Sequence, residues 1–354
     1  MKKIFSTFFI ATAVLFVMPL FAYAHEVYVL SRDQVNAGLI APPFSMLEVA
    51  RANADQFFFW GFIAILVVVV VFFVSILRWF ENVCDPLLIK AKHYAPAVAR
   101  ITLGVSFIAA AHYQAIFGPE LPLLDVFGSY ASLARAALVG IGILIVLGWY
   151  VRFAALAALL LFSVAALKYG SYMFTYTSYI GEIAVLLLIG AHRFGLDRFA
   201  HAKVGTEHFL AMVVKKLAPY SFLVLRVSFG FSLLFASLYA KFLHNALALQ
   251  VATLPLAGHA HSLAYYFGFE PHFLVLGAGI LEVVLALFFI FGLEIRFTAL
   301  FIEFWLLLSL WYFGESVWPH IILIGIPIAF FLYGYDRFSL EGLFFKKGNR
   351  EPVF

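Results

Sequence analysis

The chain has 354 residues, 65% of them hydrophobic and only 12% charged, with a formal net charge of +4. An ordinary globular protein is about a quarter charged, so this much apolar surface exceeds what a soluble core can hide, and the chain reads as an integral membrane protein. Its basic residues are spread over short loops, which excludes a nucleic-acid-binding patch. The single cysteine, Cys84, excludes an internal disulfide, a CxxCH haem attachment and a cysteine-held cluster.

In chain order, Lys2 and Lys3, the apolar run 4–21 and the pattern Ala22-Tyr23-Ala24 form a secretory signal, 1–24, with a cut before His25. An uncleaved anchor is the alternative. A polar segment, 25–56, follows and is expected outside the cytoplasm. Nine apolar stretches of membrane-spanning length come next, at 57–77, 98–117, 134–149, 153–169, 178–191, 220–242, 272–291, 297–313 and 319–335. They divide the chain into a first transmembrane helix with its linker (57–94), a four-helix unit (95–200), a second linker (201–216), a second four-helix unit (217–343) and a tail (344–354). Lysine and arginine accumulate on cytoplasmic loops. Arg78, Lys90, Lys92, Arg152, Arg193, Lys215, Arg296, Arg337 and Lys346 fall on one side of the alternation. The expectation is a bacterial inner-membrane protein with a periplasmic mature N-terminus and a cytoplasmic C-terminus.

The two units repeat each other. Gly148, Arg152, Phe153, Gly181, Gly190, Arg193 and Phe194 recur 144 residues later as Gly292, Arg296, Phe297, Gly325, Gly334, Arg337 and Phe338. Upstream, Arg100, Gly104, Ser106 and Tyr113 match Arg226, Gly230, Ser232 and Tyr239 at an offset of 126, so the second copy carries 18 extra residues between Tyr239 and Gly292. Duplication explains what the copies share, and what is particular to this protein is sought where they differ. Four helices per copy is an even number, which makes these parallel and not inverted repeats. The fold class expected is all-α integral membrane: two parallel four-helix transmembrane bundles plus one N-terminal transmembrane helix.

The Arg-x-x-x-Gly opening (Arg100/Gly104, Arg226/Gly230), the Gly-x-x-x-Arg-Phe turn and the closing Gly334-Tyr-Asp-Arg-Phe-Ser339-Leu340-Glu341 are the motifs of a known family. On them, each copy resembles the DoxX family of small four-helix membrane proteins. The resemblance implies association with redox or sulfur metabolism, since that family includes a subunit of a thiosulfate:quinone oxidoreductase. It names no catalytic residue, and whether the chain is an enzyme stays open.

Ionisable groups inside a bilayer are costly and need a reason. Counted at about 1.5 Å per residue, Arg226, Glu282 and Glu303 come to similar depths and are expected to form a buried polar cluster in the second copy. The first copy has Leu138 and Leu159 where the acids stand. The cluster reads either as structural ion pairing of a buried arginine or as a substrate or proton site. His112, Lys168 and Glu182 are expected to form an outer polar cluster in the first copy. The alternatives there are a packing histidine and snorkelling of Lys168 and of Lys241 to the interface. Near the outer face, His25 offers an imidazole and a free amine, and with His259 and His261 it could take copper. A His-x-His in a loop is no diagnostic motif, and polar loop chemistry is the preferred reading. No facing pair of mid-membrane histidines is evident, which argues against b-type haem. The aromatic content, 19% with 43 phenylalanines, offers flat surfaces for a quinone ring and equally for lipid.

The leading functional expectation is a redox-associated inner-membrane protein that binds a quinone-like or small apolar ligand or supports a periplasmic or membrane redox partner. The alternatives are a proton- or cation-coupled transporter and a non-catalytic assembly or copper-handling factor.

Overall fold

The computed structural model describes residues 29–55, 60–61, 63–64, 79, 83–191, 194–198, 216–255, 258–313 and 318–345. The expected signal peptide, His25, nearly all of the 57–77 span and most of the 201–216 linker and the tail lie outside them.

All regular structure among the described residues is helical. The α-helices are α1 (Arg32–Ile40), α2 (Met46–Ala52), α3 (Ala95–Tyr113), α4 (Leu123–Phe127), α5 (Ala131–Leu147), α6 (Val151–Tyr169), α7 (Thr177–Ile189), α8 (Ser221–Ser237), α9 (Asn245–Thr253), α10 (Leu263–Phe267), α11 (Pro271–Phe291), α12 (Ile295–Phe313) and α13 (Pro319–Tyr333). A helix thus stands at each expected span after the first. Among the described residues six helical stretches are long and apolar enough to cross a membrane, and the 39-residue one, Val151–Ile189, contains both α6 and α7. This is a multi-pass membrane protein whose apolar helix faces meet lipid.

Local sequence sets the boundaries. Proline lies in the first turn of α3, α11 and α13, where its missing N–H costs nothing. Helices α5 and α11 stop at Gly148 and Gly292, both left-handed at φ +67° and +68°. Ser31 and Gln34 form a capping box at the start of α1.

Packing begins at small residues. A Cβ on Gly104 of α3 would stand 2.8 Å from the Gly142 carbonyl oxygen of α5, and one on Gly230 of α8 would stand 2.8 Å from the Ala286 carbonyl oxygen of α11. Such close approach is how helices associate in lipid, where burial of apolar surface alone gives little drive. Contacts also cross between the two expected four-helix units. Helix α7 packs on α8 with Gly181 against Ser228, and α13 packs on α3 with Gly325 against Thr102. The fourth helix of each half therefore lies on the first helix of the other. Phe222 and Phe229 of α8 meet Phe330 of α13, while Phe107 of α3 meets Tyr179 of α7. Helices α3, α7, α8 and α13 make the centre, with α5 and α6 packed in sequence along the first half and α11 and α12 along the second.

The 18 extra residues of the second half hold α9, and the N-terminal segment docks there. Buried Asn245 accepts from the Phe44 N–H at 3.0 Å and donates to the Phe44 carbonyl at 2.8 Å. Helix α1 lies on α9, and α2 lies on α11.

Candidate functional site

The charged groups sort into a matched set and an unmatched one. In the matched set, Arg100 donates to the carbonyls of Ala191 (3.2 Å) and Phe194 (3.1 Å). Arg226 donates to those of Phe289 (2.5 Å), Ile290 (2.6 Å) and Phe338 (3.4 Å). Each guanidinium answers carbonyls left open at helix C-terminal ends, where a cation also suits the dipole. Asp197 accepts from the Tyr150 N–H at 2.8 Å, and Glu341 from the Ile295 N–H at 3.2 Å. Tyr94 stacks on Phe194 as Tyr220 stacks on Phe338. The Arg100–Phe194 and Arg226–Phe338 contacts and the two stacks of tyrosine on phenylalanine recur at the two sequence offsets. So does the acid bonded to the first helical N–H, Asp197 to Val151 (3.5 Å) and Glu341 to Ile295. The Ala191, Phe289 and Ile290 contacts belong to one half each.

The unmatched set differs from the clusters expected. Arg226 is not joined to Glu282 or Glu303. Its carbonyl partner Phe289 is seven residues past Glu282 along α11, about 10.5 Å of helix, and the acids near its charge are Asp336 and Glu341. Glu282 pairs instead with Lys241, Nζ to Oε2 2.9 Å, the two side chains 8% and 15% exposed. Lys241 therefore turns inward and does not snorkel. It lies on a π-helical run, Leu238–Leu243, that widens the end of α8, and the adjoining Ser237 hydroxyl donates to the Gly279 carbonyl of α11 at 3.4 Å. Such wide turns are frequent at functional positions. Glu303 of α12 keeps one oxygen, Oε1, buried without a hydrogen-bond partner.

Nor are the three members of the outer cluster brought together. His112 and Lys168 are exposed, whereas Glu182, in the second turn of α7, is buried with 2% exposure. Among the described residues neither Glu182 carboxylate oxygen has a hydrogen-bond partner. Its surroundings are polar on one side only. Tyr179, one turn earlier on α7, shares a hydrogen bond with Ser106 of α3 at 2.8 Å and donates to the Phe117 carbonyl at 3.3 Å. Glu182 and Glu120 both lie within electrostatic reach of the Tyr179 hydroxyl. Glu120 in turn accepts from Tyr172 at 3.0 Å and from Tyr176 by a very short bond. The rings of Phe107, Phe117, Phe162, Tyr176 and Tyr179 pack edge to face or tilted around this group.

Glu120 and Tyr172 escaped the reading of the sequence, because nothing in their spacing joins a loop acid to tyrosines more than fifty residues on. Tyr176 and Tyr179, expected in an interfacial aromatic belt, are buried instead. The nearest signal was Gly118-Pro119-Glu120, a turn in which a Cβ on Gly118 would meet the Glu120 carboxylate at 2.5 Å.

The outer histidines take separate partners. His259 meets the Tyr312 carbonyl at 2.6 Å and stacks on that ring, and His261 stacks on Tyr265 at 4.0 Å. His272 pairs with Glu270 at 2.5 Å. Among the described residues no group of three or more His, Cys, Asp or Glu is placed to hold a metal ion. Burial works to raise the Glu270 carboxyl, but hydrogen bonds from His272 and from the Phe273 N–H outweigh it and hold the group below the ordinary carboxylate range.

No protein-family model, curated protein or solved structure matches the chain.

Proposed function

We propose that this chain is a DoxX-like tandem duplicate of the bacterial inner membrane, with like-oriented halves and a periplasmic N-terminus, that holds a quinone-like ligand beside Glu182. The recurring Arg100–Phe194 and Arg226–Phe338 contacts, with Tyr94 on Phe194 and Tyr220 on Phe338, support the tandem reading. The observation that carries the ligand reading is Glu182 itself. A buried carboxyl with neither oxygen hydrogen-bonded forfeits several kcal/mol, and such a group persists where function uses it.

The residues fit a quinone-like head. Glu182, when protonated, donates to a carbonyl oxygen, the Tyr179 hydroxyl supplies a second donor once it turns from the Phe117 carbonyl, and Phe117 and Phe162 offer ring faces. A bound quinone supplies two-electron carrier chemistry. The chain's own part is to orient the head, to exclude water through its aromatic wall and to keep a proton at the Glu182 carboxyl. Lipid extraction of the purified protein, followed by quinone analysis, tests this. The wild type is expected to carry quinone and Glu182→Leu to lose it, and equal quinone content in the two sinks the reading.

A second reading, a proton- or cation-coupled transporter, is favoured by the Lys241–Glu282 pair, which joins the π-helical turn at the end of one span to an acid in the middle of α11. Glu282→Gln then abolishes a pH-dependent flux in vesicles while the protein stays folded.

A further inference from the structure

We propose that the first half contains a proton-entry route that begins at Glu120, passes through the hydroxyls of Tyr176 and Tyr179, and ends on Glu182. The inference rests on Glu182 as the polar centre of the reading above, but not on the identity of any ligand there.

The placement of the groups carries it. Glu120 stands on the connection between α3 and α4 and is partly exposed as a residue, although its Oε2 atom is buried, so it is the member of the group closest to solution at that end of the molecule. It gathers two phenol hydroxyls, from Tyr172 and Tyr176, on one carboxylate oxygen. Tyr176 is buried, and its ring lies 6.1 Å from that of Tyr179. Tyr179 is buried too and is joined to Ser106 and the Phe117 carbonyl, and Glu182 follows one turn deeper on the same helix. Polar side chains are expensive at such depth, and a file of them leading from a partly exposed acid to a buried acid without hydrogen-bond partners is more than packing requires.

Protons balance along the file. Glu120 takes one from solution, each phenol accepts a proton on its oxygen while releasing its own inward, and the Glu182 carboxylate ends protonated. A transient hydrogen bond or a bridging water spans the gap between the two tyrosines and that between the Tyr179 hydroxyl and Glu182, and no electron moves. The charged side chains of the packed helices are engaged elsewhere. On α3, Arg100 is bonded to carbonyls and His112 is exposed; on α6, Arg152 donates to the Leu188 carbonyl and Lys168 is exposed; on α8, Arg226 is bonded to carbonyls.

Infrared difference spectroscopy of the full-length protein in lipid nanodiscs tests the route. A protonated-carboxyl band is expected that disappears in Glu182→Gln, or shifts in Glu182→Asp should the amide variant fail to fold. After transfer to heavy water that band should deuterate about 100-fold more slowly in Glu120→Gln and Tyr176→Phe, the scale on which a positioned proton donor acts, and at the wild-type rate in Glu303→Gln. Unchanged deuteration in Glu120→Gln and Tyr176→Phe overturns the route, as does a carboxyl spectrum that neither Glu182 variant alters. Quinone lost from Glu182→Leu with unchanged deuteration in the route variants would sink the route alone. Slowed deuteration with quinone content indifferent to Glu182 would sink the ligand reading alone.

Discussion

The two halves share their arginines and differ in their acids. Arg100 and Arg226 do the same work, answering open carbonyls where helices end, and Gly104 and Gly230 press against their neighbours at the same 2.8 Å. Glu182 of the first half corresponds to Ile326 in the second, while Lys241 and Glu282 of the second correspond to Ala115 and Leu138 in the first. On the proposed tandem reading, the groups that close the backbone were kept and the two interiors diverged. One interior holds a lone carboxyl beside tyrosines, and the other holds a compensated ion pair.

Exchanging residues between the halves sharpens that contrast, and the largest effect is expected at the ion pair. Glu282→Leu alone leaves the Lys241 ammonium buried without its counter-charge and should cost about 3–5 kcal/mol, while adding Lys241→Ala, which recreates the residues of the first half, should recover most of it. Thermal unfolding in detergent reads both, and a double variant as unstable as the single one would show that the pair is not what holds α8 to α11. Next comes Arg226→Ala, expected to cost about 2–4 kcal/mol because three carbonyls lose their donor. Arg100→Ala should act in the same direction with a smaller loss, since it serves two carbonyls at longer range. A null result for either would break the equivalence of the two arginines. Glu182→Ile, the second half's residue at that position, should instead raise stability by about 1–2 kcal/mol by removing a buried polar group without partners. Destabilisation there would mean that Glu182 is structural.

The smallest effect is a pH dependence at Glu270, which caps α11 in the second half only. Because this acid is held below its ordinary range, its contribution is complete above the usual carboxylate pKa and is lost as pH falls through the depressed value. The side chain is 48% exposed, so solvent screens the His272 pairing and the cap is worth about 1 kcal/mol or less. Glu270→Gln should flatten the acid limb of a stability profile measured by denaturation across pH.

Much of the scaffold was legible because its signals are local. Apolar runs placed the helices, and the Gly-x-x-x-Arg-Phe pattern marked the left-handed turns at Gly148 and Gly292. Ser31 and Gln34 spelled a capping box that went unread within a segment taken only as polar. The site was far less legible. Counting rise per residue put Arg226 and Glu282 near one depth but carried no information about where each lies around its helix, and the carbonyls that Arg226 satisfies are invisible in a list of side chains. Lys241 was assigned to the interface because a regular α-helix would carry it there, whereas the π-helical run shifts its direction toward α11. Glu120 reached its tyrosines only through the tertiary fold.

The crossed packing of α13 on α3 has a consequence for how the chain is made. Ribosomes deliver α3 early and α13 almost last, so the Thr102 face that Gly325 finally covers stays open to acyl chains for most of synthesis. The first half therefore cannot mature while the second is still emerging, and a ribosome that stalls before residue 319 releases a protein whose α3 has never met its permanent neighbour.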